Sequence, residues 1–393
     1  MSQRKLKPAT IAAHAGSVKP QSGTVPEVEP IYQASVYRFA DLDTVDAVQE
    51  GRAEGYVYGR YGLPNHASLE QVVAALEGAE GAVVTASGMG CILVTLLAFA
   101  RSGDQLVASR DLYGGTLALL TQDLAQLGIE VRFVDDVQQV EQAITSRTKL
   151  LLVETITNPL VRVTDLRRWV DLARRHQLPL VVDNTFATPL LCRPRELGAS
   201  VVLHSLTKFL GGHSDLLGGV TCGNTQFVKR ARTLSIHLGT NLSPFDAWLA
   251  ARGIKTLGVR FRAANSNAQT IAEFLAQHPK VTKVYYPGLP TSPDHALASE
   301  LFSGGYGNML AFEMQGGLAG LKRLLKGLDL IGLVPSLGGV RTTCSHPAKT
   351  SHRSLSAAER QRLGISDGLL RLSVGIEDAA DLLSELEQAL EQV

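Results

Sequence analysis

From residue 81 to residue 208 short apolar runs alternate with longer stretches of helical periodicity. The runs at 81–85, 105–108, 130–134, 149–154, 179–182 and 200–203 have strand length and little polar interior. Continuous apolar strands of that kind are what a sheet covered on both faces requires. Between them, 67–76 puts Leu69, Val72, Val73 and Leu76 on one stripe, and further helices are predicted from Gly88 to near residue 100, after Tyr113 to about 127, at 137–144 and at 166–176. Strand–helix alternation predicts a mainly parallel sheet, whose ligands bind at the carboxyl ends of the strands. Gly88, Asn158, Asp183 and the Ser205–Lys208 stretch all stand at predicted strand ends.

The flanks are patterned differently. Residues 1–60 have weak periodicity, scattered prolines (Pro8, Pro20, Pro26, Pro30) and one short predicted helix at 43–50. They read as an extended arm. Beyond Gly223 a long helical region, 244–277, leads to predicted strands at 281–286, 307–313 and 369–374 and helices at 318–328 and 378–390. The expected organisation is an arm (1–60), a large α/β domain (61–245) and a smaller C-terminal α/β domain (246–393).

Composition narrows the function. Charged residues make up 19% of the 393 and the formal net charge is +1, so no broad field exists to attract nucleic acid or an anionic membrane. The four cysteines (Cys91, Cys192, Cys222, Cys344) are far apart, as reduced thiols are, and form no metal-type pair. The first eight residues lack the apolar core of a signal peptide, and the apolar run at 91–100 is too short to span a bilayer. A soluble cytoplasmic protein is expected.

The chemistry-bearing residues punctuate the runs. In Ser205-Leu206-Thr207-Lys208 the two hydroxyls fall on one side of an extended segment, and Lys208 turns the other way. Alone, such a lysine is more often a solvated strand end. Ala86-Ser87-Gly88-Met89-Gly90 joins a strand to a helix and offers free backbone N–H groups to a phosphate. It is neither a dinucleotide fingerprint, since Leu93 occupies the third glycine position, nor a P-loop. Pyridoxal 5′-phosphate (PLP) needs a lysine for its aldehyde, an acid at its pyridine nitrogen, a flat side chain against its ring and a cup for its phosphate. Lys208, Asp183, Tyr113, and Gly88 and Met89 with Ser205 and Thr207 fill those roles. Singly, Asp183 would be read as a cap or turn residue. A metal site on His204, His213 and Asp215 is disfavoured, because the spacing suits no common ligand set.

With these residues assembled, the chain resembles the Cys/Met-metabolism family of PLP enzymes: cystathionine γ-lyase, γ-synthase and β-lyase, methionine γ-lyase and the homoserine-ester sulfhydrylases. The matching segments are Tyr58-Gly59-Arg60-Tyr61-Gly62, Ser87-Gly88-Met89, Tyr113-Gly114-Gly115-Thr116, Asp183-Asn184-Thr185 and Ser205-Leu206-Thr207-Lys208. They lie within a likeness running from His14-Ala15-Gly16 to Leu372-Ser373-Val374-Gly375. The resemblance implies the fold-type-I, aspartate-aminotransferase-like α/β architecture. It implies that Tyr58 and Arg60 reach the cofactor phosphate of a neighbouring subunit, in a dimer usually paired into a homotetramer. It implies also that Arg371, helped by Asn158 and Ser336, holds the substrate carboxylate, and that Lys208 and Tyr113 act in catalysis.

Within the family, methionine γ-lyases commonly carry a cysteine where Gly115 stands here, which favours the cystathionine enzymes. Arg341 and Pro335 stand where acidic residues are usual, which weakens the match to narrow cystathionine specificity. Cys344-Ser345-His346-Pro347-Ala348-Lys349-Thr350-Ser351-His352 resembles the sulfhydrylases. The expected activity is γ-elimination on L-cystathionine and related sulfur amino acids. γ-Replacement on an O-acylhomoserine, methionine γ-lysis and cystathionine β-lysis are the alternatives within the family, and a plain aminotransferase the one outside it.

Overall fold

The computed structural model describes residues 6–17, 23–353 and 355–393; Pro20 and the first five residues of the predicted arm lie outside the described residues. Seven strands form the large sheet: β1 (Gly81–Thr85), β2 (Gln105–Ser109), β3 (Glu130–Val134), β4 (Thr148–Glu154), β5 (Leu180–Asp183), β6 (Val201–Ser205) and β7 (Gly219–Gly223). Their order is β1-β7-β6-β5-β4-β2-β3. The run β6-β5-β4-β2-β3 is parallel, and β7 lies antiparallel between β1 and β6. The predicted mainly parallel α/β sheet is the observed one. β7 was not predicted: a glycine at each end and Thr221 in the middle leave too short an apolar signal.

Alternation along each strand sorts the core onto two faces. Leu150, Leu152, Val181, Val201 and Leu203 join the cluster under the helix Gly88–Phe99. Leu151, Val153, Leu180, Val182 and Val202 pack with Trp169 and Val170 of the helix Leu166–Arg175 on the other. Glu154, Asp183 and Ser205 continue the first series, so the same period-two pattern that buries the core brings these polar ends to one face. The strand register sets Glu154 beside Asp183, and Asp183 beside Leu203.

The smaller sheet comprises β8 (Val281–Tyr285), β9 (Met309–Met314), β10 (Gly332–Leu333), β11 (Thr343–Ser345) and β12 (Leu369–Ser373), in the order β10-β11-β12-β9-β8. It is antiparallel except for the β10–β11 pair. The single helical region predicted at 244–277 is two helices, Pro244–Lys255 and Leu257–Gln277. They part at Thr256, whose hydroxyl donates back to the Gly253 carbonyl (3.1 Å); a β-branched residue that offers its own hydrogen bond competes with the helical ladder. Among the described residues no helix is long and apolar enough to cross a membrane.

Candidate active site

A cavity of about 700 Å³ opens at the carboxyl ends of β1, β4, β5 and β6, closed on the far side by segments of the smaller sheet. Its lining includes Gly88, Met89, Tyr113, Asn158, Asp183, Ser205, Thr207, Lys208, Ser336 and Arg371. Lys208 follows β6 in the irregular turn Leu206–Leu210, where its own backbone leaves helical geometry (φ −94°, ψ −131°). Gly338 packs against that turn: at φ +82° it takes a left-handed conformation, and a Cβ there would lie 2.6 Å from the Phe209 nitrogen. This close approach carries Ser336 to the lysine, whose Nζ donates to the Ser336 Oγ (2.9 Å). Burial lowers the Lys208 amine below its ordinary range, and the Arg371 guanidinium lowers it further.

Arg371 lies on β12, between β11 and β9 rather than at a sheet edge, and is 3% exposed. Its Nη1 donates to the Asn158 Oδ1 (2.8 Å) and its Nη2 to the Ser336 carbonyl (3.4 Å), while its Nε has no partner. Burial holds this guanidinium down to about 10. A buried cation with an unsatisfied donor facing a cavity is a ready site for a carboxylate.

The floor holds two acids. Asp183 accepts the backbone N–H of Thr185 (2.9 Å), and Glu154 accepts that of Tyr113 (2.6 Å). Burial raises Asp183, opposed by its hydrogen bonds from Thr185, and burial together with the Asp183 charge holds Glu154 well above the ordinary carboxylate range. A cationic ring nitrogen over Asp183 would relieve that pair. At the other end, Ser87 caps the helix Gly88–Phe99 by accepting the Gly90 N–H (3.0 Å). A Cβ at Gly88 would stand 3.0 Å from that of Ser205, so the helix start and the strand end form one narrow cup. The Thr207 hydroxyl is tied to Gly218, accepting its N–H (3.0 Å). Lysine, acid, exposed Tyr113 ring and glycine–serine cup are the fittings PLP requires.

Tyr58 and Arg60 do not line this cavity. Both are exposed; Tyr58 forms an isolated bridge with Val36, and Arg60 lies over the rings of Tyr58 and Tyr61 and donates to the Ile236 carbonyl (3.0 Å). Four lining residues of consequence were not singled out from sequence: Glu154, Thr185, Lys349 and Arg353. Glu154 carried a signal, an acid closing an apolar run, but its neighbourhood with Asp183 appears only through the strand register.

This fold and this site define a PLP-dependent enzyme of fold type I. The profile of the Cys/Met metabolism PLP-dependent enzyme family matches residues 9–391, and the chain belongs to that family. It is 40% identical to an L-methionine gamma-lyase of Porphyromonas gingivalis over 98% of this chain and 97% of that protein. It is 41% identical to a cystathionine gamma-lyase of Bacillus subtilis over 99% of this chain and 100% of that protein. Among solved structures, cystathionine gamma synthase from Xanthomonas oryzae pv. oryzae in complex with cystathionine superposes with a TM-score of 0.93 at 39% identity, covering 98% of each chain.

Proposed function

We propose that this PLP-dependent carbon–sulfur lyase acts in the cytoplasm on L-cystathionine by γ-elimination, releasing cysteine, 2-oxobutanoate and ammonia, with homocysteine and methionine as secondary substrates. The observation that carries the reading is the bridge through Ser336, which bonds the Lys208 amine by its hydroxyl and Arg371 by its carbonyl. An amino acid whose carboxylate sits on Arg371, helped by Asn158, then presents its Cα to the lysine. The names of the relatives, γ-lyases acting on cystathionine and methionine, support cleavage at Cγ.

PLP, held by Lys208, Asp183, Tyr113, Gly88, Met89, Ser205 and Thr207, supplies an electron sink for negative charge at Cα. Lys208, lowered by burial and by Arg371, is a base suited to remove the Cα proton near neutral pH. Asp183 keeps the ring nitrogen protonated, and Glu154 steadies the Tyr113 loop through the Tyr113 N–H. Tyr113 would flank the ring of the bound cofactor and donates a proton to the departing sulfur. Tyr58 and Arg60 complete the phosphate site of a neighbouring subunit, in a dimer paired into a tetramer. Arg60→Ala is expected to weaken cofactor retention about tenfold, the worth of one charge-assisted hydrogen bond; unchanged cofactor affinity on dialysis counts against the role.

A second reading, γ-replacement on an O-acylhomoserine, is favoured by the polar loop at Lys349–Arg353, which lines the cavity, and by the likeness to cystathionine gamma synthases. The test is to mix the cofactor-loaded protein with L-cystathionine alone and identify the products. Cysteine with 2-oxobutanoate supports γ-cleavage, and homocysteine with pyruvate replaces it by β-cleavage. No cleavage by loaded protein transfers the reading to γ-replacement.

A further inference from the structure

One wall of the cavity holds no residue assigned to the base, the cofactor or the carboxylate anchor. The turn Pro347–Lys349 after β11 and the residues that follow it contribute Lys349, Thr350, Ser351 and Arg353 to the lining. The loop is firmly seated. The Pro347 carbonyl accepts the His352 N–H (3.0 Å), the Thr350 hydroxyl donates to the His346 carbonyl (2.9 Å), and His352 is fully buried. A side chain at Gly114 would run into the Ser351 carbonyl, so this loop abuts the one that carries Tyr113.

Lys349 and Arg353 are both exposed, and among the described residues neither has a carboxylate within ion-pair distance. The charges of the lining are unevenly assigned. Its acids are Glu154 and Asp183, both committed in the floor; its other cations, Lys208 and Arg371, serve as base and carboxylate anchor. The phosphate cup is formed by Gly88 and Ser205. Lys349 and Arg353 are left facing the cavity beside Tyr113, where the substrate's side chain departs, with no acid of this chain among the lining to balance them.

We infer that Lys349 and Arg353 hold an anionic group at the distal end of the substrate's side chain. The enzyme then selects amino acids whose γ-substituent ends in a carboxylate or a phosphate over those ending in a neutral group, such as methionine. This rests on the amino-acid lyase reading above. It sharpens that reading, because the distal carboxylate of cystathionine satisfies the requirement and so does an acidic ester of homoserine.

The test is binding, so it does not depend on turnover. Three amino acids of matched length and without a γ-leaving group are titrated into the loaded enzyme and followed by the change in cofactor absorbance. They are L-norleucine (neutral), L-2-aminoadipate (carboxylate) and L-2-amino-5-phosphonopentanoate (phosphonate). At least one anionic ligand is expected to bind about tenfold more tightly than norleucine, as two partly exposed charge contacts provide. That ratio is expected to fall to about one in the K349Q/R353Q variant, and to an intermediate value in each single variant. The tighter of the two anions identifies which source the site takes. Norleucine binding in the same variant reports whether the cavity is intact. Equal binding of all three ligands by the wild type, or an anion preference that survives in K349Q/R353Q, overturns the inference. If the loaded enzyme shows neither preference yet cleaves cystathionine, the inference falls and the lyase reading stands.

Discussion

Asp183 and Asn184 are consecutive, yet they serve two different buried polar clusters on opposite sides of the large sheet. On the cavity side, Asp183 lies beside Glu154; Asp183 accepts hydrogen bonds from Thr185, and Glu154 accepts the N–H of Tyr113. On the other side, Glu77 Oε1 is bonded to His204 Nε2 (2.6 Å) and accepts from Asn184 Nδ2 (2.9 Å), and Asn184 Oδ1 accepts from the Thr155 hydroxyl (2.7 Å). All four residues are buried. The alternation of strand side chains produces this division: Glu154 against Thr155, Asp183 against Asn184, Ser205 against His204. The rear cluster joins its groups to one another, with Glu77 Oε2 and His204 Nδ1 left without partners, and so contributes structure. The front cluster buries two acids that burial raises, opposed at Asp183 by hydrogen bonds from Thr185 and by His204 and at Glu154 by backbone N–H groups, a condition suited to an incoming cation.

The comparison breaks most sharply at Lys208. Lys208→Ala removes the proposed base, and turnover is expected to fall by about 10⁴-fold, the upper range for general base catalysis. The thermal midpoint of the cofactor-free protein should hold or rise, since a buried amine has been removed. A variant that keeps turnover in a product assay refutes the assignment. At Glu77 the expectation is reversed. Glu77→Leu strips His204 and Asn184 of their shared acceptor, at about 1–3 kcal/mol for each buried group left without a partner. Stability should therefore drop while kcat/KM of the folded, loaded enzyme stays near wild type. Loss of kcat/KM without loss of thermal stability would place Glu77 in the catalytic cluster instead.

The front cluster was more legible in the sequence than the rear one, for a physical reason. Lys208 and Asp183 end apolar runs, and a charged group that interrupts a buried pattern announces itself. Glu154 ends a run in the same way, but an acid at a strand end also reads as a turn residue. Its meaning comes from lying level with Asp183 on the neighbouring strand, a long-range fact. His204 sits inside an apolar run and Glu77 closes a helix, so nothing local joins residues 127 apart in the chain. Lys349 was legible only within a stretch resembling the sulfhydrylases, and Arg353 not at all, until the smaller sheet's connections folded over the cavity. A phosphate role for Tyr58 and Arg60 was an expectation from resemblance, and in the single chain both are exposed and stand outside the cavity lining.

The smallest expected effect tests the front cluster's defining property, that burial raises its acids. Glu154 is raised well above 4.5 and Asp183 is raised from 3.8, both chiefly by burial. Between those unfolded values and the raised folded ones, the folded chain binds more protons than the unfolded chain. These two acids therefore withdraw stability from the cofactor-free protein as pH rises above about 4.5, by up to about 1.4 kcal/mol per pH unit for each fully titrating group. His66 and His352, held down to about 4 by burial, contribute the opposite slope over the same range. A lowered carboxylate, as in an ordinary ion pair, would give the opposite slope. Thermal midpoints of the cofactor-free protein across this range should change more favourably with rising pH in Glu154→Gln, which removes the most strongly raised acid, than in the wild type. The Glu77→Leu variant should keep the wild-type slope, because its lesion lies behind the sheet. If Glu154→Gln and the wild type show the same slope, Glu154 does not carry the burden of buried charge, and the distinction between the two clusters fails at that residue.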